Sequence, residues 1–177
     1  MKKILFDASV HLGQFSLQSE ERRAGCKNSQ ISICDKGNDA VVGIVTFNEN
    51  SWADHIIWSL DRETQDVFYQ FMDLFHSVKH IERIPLVSGD AALAQEIVEK
   101  YDIDMSHALT CAVAIRAGAE EIHTLYKDML AIPLCTYMKN VHHIEILAPQ
   151  ASEELHYETE LENAYQIAVA RFRDQKI

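Results

Sequence analysis

Short uninterrupted apolar runs alternate with longer stretches of helical period along the 177 residues. Ile4-Leu5-Phe6 ends on Asp7, the pattern of a parallel strand buried on both faces. Ala40 to Val45 is β-branched and unbroken after the turn signal Lys36-Gly37-Asn38-Asp39, and predicts a second such strand. Ile81 to Leu86, interrupted by Pro85 within 80–87, predicts a third. Glu121-Ile122-His123-Thr124 predicts a short fourth, and Val141 to Leu147, closed by Pro149, a last one. His142 and His143, adjacent on that strand, would then point to opposite faces and could not chelate together.

Between the strands the period changes to that of a helix. Val67, Phe68, Phe71, Leu74, Phe75 and Val78 give residues 62–77 one apolar face. Leu93, Ile97, Val98 and Tyr101 do the same for the helix opened by Ser88-Gly89-Asp90. Residues 105–117 are rich in small side chains, which predicts a closely packed neighbour, and Gly118 is placed to end that helix. Thr46 or Asn48 can cap a helix carrying Glu49 in its first turn. Residues 14–36 are polar and mixed, a helix with a loose end. Tyr126 to Leu130 is a loop or single turn, and 151–173 is an acidic helix with Leu155, Leu161, Tyr165, Ala168 and Phe172 on its apolar face. Strands alternating with helices predict a three-layer α/β/α domain over 1–177, built on a parallel sheet of about five strands. Sites in such sheets lie outside the carboxyl ends of the strands, where Asp7, Glu49 and Thr124 fall.

Composition adds a constraint. A formal charge of −11, from 27 acidic against 16 basic residues, leaves no basic face for gripping nucleic acid; the only basic runs are Lys2-Lys3 and Arg22, Arg23, Lys27. The acidity suits a solvated surface, a basic protein partner or a divalent ion. The four cysteines, at 26, 34, 111 and 135, make no C-x-x-C pair, and Cys111 reads as core. With no leader-like segment or membrane-length apolar run, the expectation is a cytoplasmic protein with reduced thiols. Glycine-rich phosphate loops, G-x-S-x-G and H-E-x-x-H are absent.

Asp7-Ala8-Ser9 after an apolar strand resembles the opening D-x-S of PIN-like domains. Val45-Thr46-Phe47-Asn48-Glu49 resembles that family's strand-Thr-x-x-Glu start of a helix. Ala92-Leu93-Ala94 through Tyr101, His107-Ala108-Leu109 to Ala117-Gly118-Ala119, Ile122-His123-Thr124 and His143 to Pro149 resemble its second half in spacing and order, so the likeness runs over residues 1–149. The resemblance implies a pocket of three or four carboxylates that holds Mg²⁺ or Mn²⁺ and activates water to cut RNA phosphodiesters. Hard divalent ions take carboxylate oxygens, and the ion polarises phosphate and generates hydroxide.

This chain departs from that pattern twice. His107 stands where the third acid directly precedes Ala108, and Tyr126 stands two residues after Thr124 where the fourth is expected. Asp104, one turn before His107, and Asp128, two beyond Tyr126, could compensate or not. The resemblance therefore implies Asp7, Glu49, Asp104 and His107 as catalytic and metal-binding candidates, Asp128 as a further ligand, and Ser9, Thr124 and Tyr126 as pocket lining. Each has a plainer reading: Asp7 a cap, Glu49 a first-turn acid, Asp104 a helix N-cap, His107 a hydrogen-bonded histidine and Tyr126 a hydroxyl bonded to a neighbouring carboxylate. An imidazole ligand would move the preference toward Mn²⁺ or another transition metal. The implied function is a metal-dependent, toxin-like endoribonuclease held by a small basic antitoxin-like partner. The alternative is an inactive PIN-like module acting through protein–protein binding, and a homo-oligomer is expected. Trp52 and Trp58 read as packing or interface residues.

Overall fold

The computed structural model describes residues 2–15, 19–35, 41–46, 60–77, 81–151 and 155–175. Strands β1 (Lys2–Phe6), β2 (Val41–Thr46), β3 (Ile81–Ile84), β4 (Glu121–His123) and β5 (Glu145–Leu147) pair in parallel in the order β3-β2-β1-β4-β5. β1 is central. Leu5 lies between Ile44 and Ile122, and Ile122 is followed across the sheet by Ile146. Because side chains alternate along a strand, each face of β1 feeds a different core.

Helices α1 (Ala8–Gly13), α2 (Glu20–Asp35), α3 (Arg62–His76), α4 (Ser88–Tyr101), α5 (Met105–Ala117), α6 (Ile132–His142) and α7 (Thr159–Asp174) follow in chain order. Leu5, Ile122 and Ile146 pack with Ala94, Ile97, Ala108, Cys111, Val113, Leu134 and Met138, which places α4, α5 and α6 on one face. Ile4 and Phe6 pack with Val10 and Cys26 on the opposite face. Behind them Leu12, Phe15, Ile31, Phe71, Phe75, Leu161, Tyr165 and Phe172 join α1, α2, α3 and α7 in one cluster. A fully buried side chain such as Leu5 or Phe71 contributes about 2 kcal/mol each. Burying Ala108, Ala112 and Ala114 completely lets α5 approach its neighbours closely, as the small-residue run predicts.

Local signals set the helix ends. Asp7, Asp61 and Asp104 each accept a backbone N–H at the start of a helix. Asp90 does so from inside α4, taking the Val87 N–H at 2.9 Å. Gly118 ends α5 in the left-handed region, φ 67°.

Three expectations are corrected. Val141 and His142 belong to the last turn of α6, and His143 ends it at φ 60°, so only Glu145–Leu147 of the expected 141–147 run is strand. The two histidines therefore do not alternate across a sheet. The terminal helix starts at Thr159 rather than 151; before it, the Tyr157 N–H is bonded to Glu162 Oε2 at 2.9 Å. The third strand stops at Ile84, before Pro85, which has no N–H to continue it. The 36–39 turn and the helix expected from Asn48, with Glu49, Trp52 and Trp58, lie outside the described residues. Among the described residues no helix is long and apolar enough to cross a membrane.

Candidate functional site

Strand order reverses between β1 and β4, because β2 and β3 lie to one side of β1 while β4 and β5 lie to the other. A crevice is expected beyond the carboxyl ends of strands at such a switch. The chain stitches this one shut at its base. The Asp7 N–H donates to His123 O at 3.0 Å. Ser9 Oγ accepts the Leu125 N–H at 2.8 Å and lies 3.4 Å from Thr124 Oγ1, which accepts the Tyr126 N–H at 3.1 Å. The start of α1 and the loop after β4 are thus one hydrogen-bonded unit, with Ser9 and Thr124 as its buried hydroxyls.

Asp7 sits on this unit as the N-cap of α1, with Oδ1 taking the Ser9 N–H at 2.7 Å. It is only 3% exposed. Burial pushes its carboxyl up, the Ser9 hydrogen bonds and the nearby His107 pull it down, and Asp128 pushes it up again. The net direction is upward: among the described residues no lysine or arginine compensates this buried anion.

His107 lies in the first turn of α5, where Asp128 Oδ2 stands 2.5 Å from its Nδ1. Its ring stacks on Tyr126, with centroids 3.9 Å apart and planes 34° apart. Tyr126 is held well above the ordinary phenol range, first by burial and then by the carboxylates of Asp7, Asp128 and Asp104. The structure therefore brings Asp7, His107, Tyr126 and Asp128 together above Ser9 and Thr124. Asp104 stands at the margin as the α5 N-cap, with Oδ1 bound to both the N–H and the hydroxyl of Ser106 at 2.8 Å. Those bonds hold its carboxyl below the usual range and leave Oδ2 without a bond among the described residues. Glu49 lies outside them.

Among the described residues no three His, Cys, Asp or Glu side chains converge as a metal cluster. Two observations nevertheless fit a divalent ion: the uncompensated buried carboxylate of Asp7, and a histidine whose Nδ1 is oriented by a carboxylate. In the neutral ring with its Nδ1 hydrogen directed at Asp128, Nε2 would carry the lone pair, and that atom makes no hydrogen bond among the described residues. That is the arrangement found behind metal-ligating histidines. One oxygen and one nitrogen suit Mn²⁺ or a later transition metal better than Mg²⁺.

A second polar chain escapes sequence reasoning. Ser29 Oγ meets His123 Nδ1, His123 Nε2 lies 3.0 Å from Glu121 Oε2, and Glu121 pairs with Lys2. Burial raises the Glu121 carboxyl, but Lys2 and His123 together outweigh it and the net shift is downward. Ser29 is interior to α2, so its own N–H serves the helix and cannot line an oxyanion hole. The chain fastens α2 to β4. Only the i, i+2 spacing of Glu121 and His123 on one strand face hinted at it.

A family model described as a family of unknown function (DUF6190) matches residues 1–174, and the chain belongs to that family. No curated protein matches it. The fold is similar to a chain in the crystal structure of VapBC2 from Rickettsia felis bound to a DNA fragment from their promoter. The TM-score is 0.55 at 10% identity, over 84% of this chain and 99% of that one. That likeness concerns the fold, and it supports the PIN-like α/β reading.

Proposed function

We propose that this member of the DUF6190 family is a divalent-metal-dependent endoribonuclease of PIN-like type that hydrolyses RNA phosphodiesters. The observation that carries the reading is Asp7, a carboxylate 3% exposed at the β1/β4 crevice with no lysine or arginine opposite it among the described residues. An uncompensated buried charge costs several kcal/mol, and a bound cation offsets that cost. Asp7 and Nε2 of His107 would hold the ion, with Glu49 as a third donor and Asp104 Oδ2 at the margin. When bound, the ion lowers the pKa of a coordinated water and polarises the phosphate.

The chain's own residues do the positioning. Asp128 fixes the His107 ring and its tautomer. Ser9 and Thr124 lock the start of α1 to the loop after β4 so that Asp7 cannot drift. Tyr126 forms the wall against which His107 stacks. At −11 the chain offers no basic track, so contact with RNA would be short and local. A small basic antitoxin-like protein complements that surface, the domain would work as a homo-oligomer, and a reducing cytoplasm suits its free thiols.

The test is cleavage of a mixed RNA pool in Mg²⁺ and in Mn²⁺, with Asp7→Asn alongside. Metal-dependent cleavage that disappears in the variant supports the assignment, and cleavage that survives it removes Asp7 from the site. One observation favours a second reading, an inactive PIN-like module. The positions where the resemblance asks for two acids are occupied by the stacked pair His107 and Tyr126. A folded protein that neither cleaves RNA nor binds Mn²⁺ in a calorimetric titration would establish that reading instead.

A further inference from the structure

On the opposite side of the sheet from α5, a groove of about 350 Å³ runs between α2 and α7. Arg23, Lys27, Leu155, Tyr165, Val169 and Arg173 line it, with Glu20 at its mouth. In a chain of net charge −11, three cations converge here on one tyrosine. Lys27 Nζ lies 4.5 Å from the Tyr165 ring centroid, and the guanidinium groups of Arg23 and Arg173 both bear electrostatically on its hydroxyl.

The three cations are not equally satisfied. Lys27 is bound by both oxygens of Glu162 at 2.9 Å and is nearly buried, so its charge is spent within the fold. Arg23 is held in the groove, its side chain 13% exposed, and its carboxylate partner Glu20 is a distant 3.5 Å away and 91% exposed. An exposed pair of that length contributes little. Arg173 makes no ion pair among the described residues and is solvent-facing. Two guanidinium forks therefore flank an apolar floor with their bidentate capacity largely unused.

We propose that this groove docks an acidic, partly apolar peptide segment of a protein partner, its carboxylates taken by Arg23 and Arg173 and its apolar side chains laid against the half-buried Leu155. This does not depend on the nuclease reading, and it concerns a different face of the molecule. Charge complementarity selects an anionic occupant, and the floor selects a peptide over RNA. Tyr165 is 7% exposed and offers no open ring for base stacking. A long polyanion would also meet the repulsion of the chain's net charge.

The experiment is fluorescence anisotropy with the full chain and a labelled peptide of about ten residues alternating Glu and Leu, a length that spans a helix-lined groove. Controls are the same peptide with Gln for Glu and a single-stranded RNA of similar length. The expected result is saturable, salt-sensitive binding of the acidic peptide. Arg173→Glu should weaken it about tenfold or more, and Arg23→Glu with Arg173→Glu should abolish it. Arg173 is exposed, so its single variant keeps the test valid if the double variant misfolds. Four outcomes overturn the proposal: no binding by folded protein, equal binding of the Gln peptide, indifference to Arg173→Glu, or preferential binding of the RNA with the same loss in the variant.

Discussion

Asp128 Oδ2 lies 2.5 Å from Nδ1 of His107, so the carboxylate beyond the β4 loop governs an imidazole at the start of α5. An acid that the resemblance places among the ligands thus acts on a neighbouring donor. Asp128→Asn should weaken Mn²⁺ binding about 10–100-fold without abolishing it, the usual cost of removing an orienting partner. Isothermal titration against His107→Ala separates the two roles: equal losses would make Asp128 as important as a direct donor, and no loss would make the pair purely structural.

Asp7→Asn should remove metal binding while sparing the fold. Asparagine Oδ1 can still accept the Ser9 N–H, and the buried charge disappears. The thermal midpoint should hold or rise by about 2–4 °C, the shift that roughly 1 kcal/mol gives a domain of this size. A clear fall in the midpoint would mean that the carboxylate is itself a structural anchor.

Acid should destabilise the protein through two histidines. His11 is held down at about 3, first by burial, then by His76, with the Gln30 hydrogen bond opposing. His76 is held at about 4, first by burial, then by Arg83, with Asp73 opposing. Both are neutral in the fold, while the unfolded chain protonates them below their ordinary 6.5. The stability they allow is therefore complete above that value and declines as pH falls toward 4 and 3. Between about pH 7 and pH 5 each should cost about 2 kcal/mol. Asp7 acts in the opposite sense, because its raised carboxyl is eased by protonation. Urea unfolding at both pH values should show the loss, and His76→Gln should shrink it by about half; an unchanged pH slope in that variant would clear His76 of any part.

Arg116→Ala should unfold the protein more readily by about 2–3 kcal/mol. Asp90 is 2% exposed and takes two guanidinium hydrogen bonds, at 2.7 and 2.9 Å, while Arg116 also donates to Pro85 O at 2.7 Å. Losing the arginine strands a buried carboxylate and frees the loop that feeds α4. Asp90→Asn with Arg116→Ala should recover part of the loss, and chemical denaturation of the pair measures it.

Residues whose role is decided by near neighbours were legible in the sequence. Asp7 follows an apolar run, Asp104 precedes a helix, and Gly118 ends one; each was readable and each stands there. What escaped depends on distant partners. The His107–Asp128 pair joins a helix start to a turn 21 positions away. Helix α6 was hidden because its last residues, Val141-His142, run into His143-Ile144 and read with them as strand, and because it is stopped by a histidine in the left-handed region rather than by glycine. The late start of α7 was hidden because Glu162 reaches back to Tyr157, a bond no local pattern announces.

The central position of β1 also bears on how the protein is made. Phe6 pairs with His123 on one side and Val45 on the other, so the strand synthesised first cannot complete its second edge until β4 has left the ribosome. At ordinary elongation rates that wait lasts roughly ten seconds. Until then the apolar run Ile4-Leu5-Phe6 has no partner strand for one of its two edges.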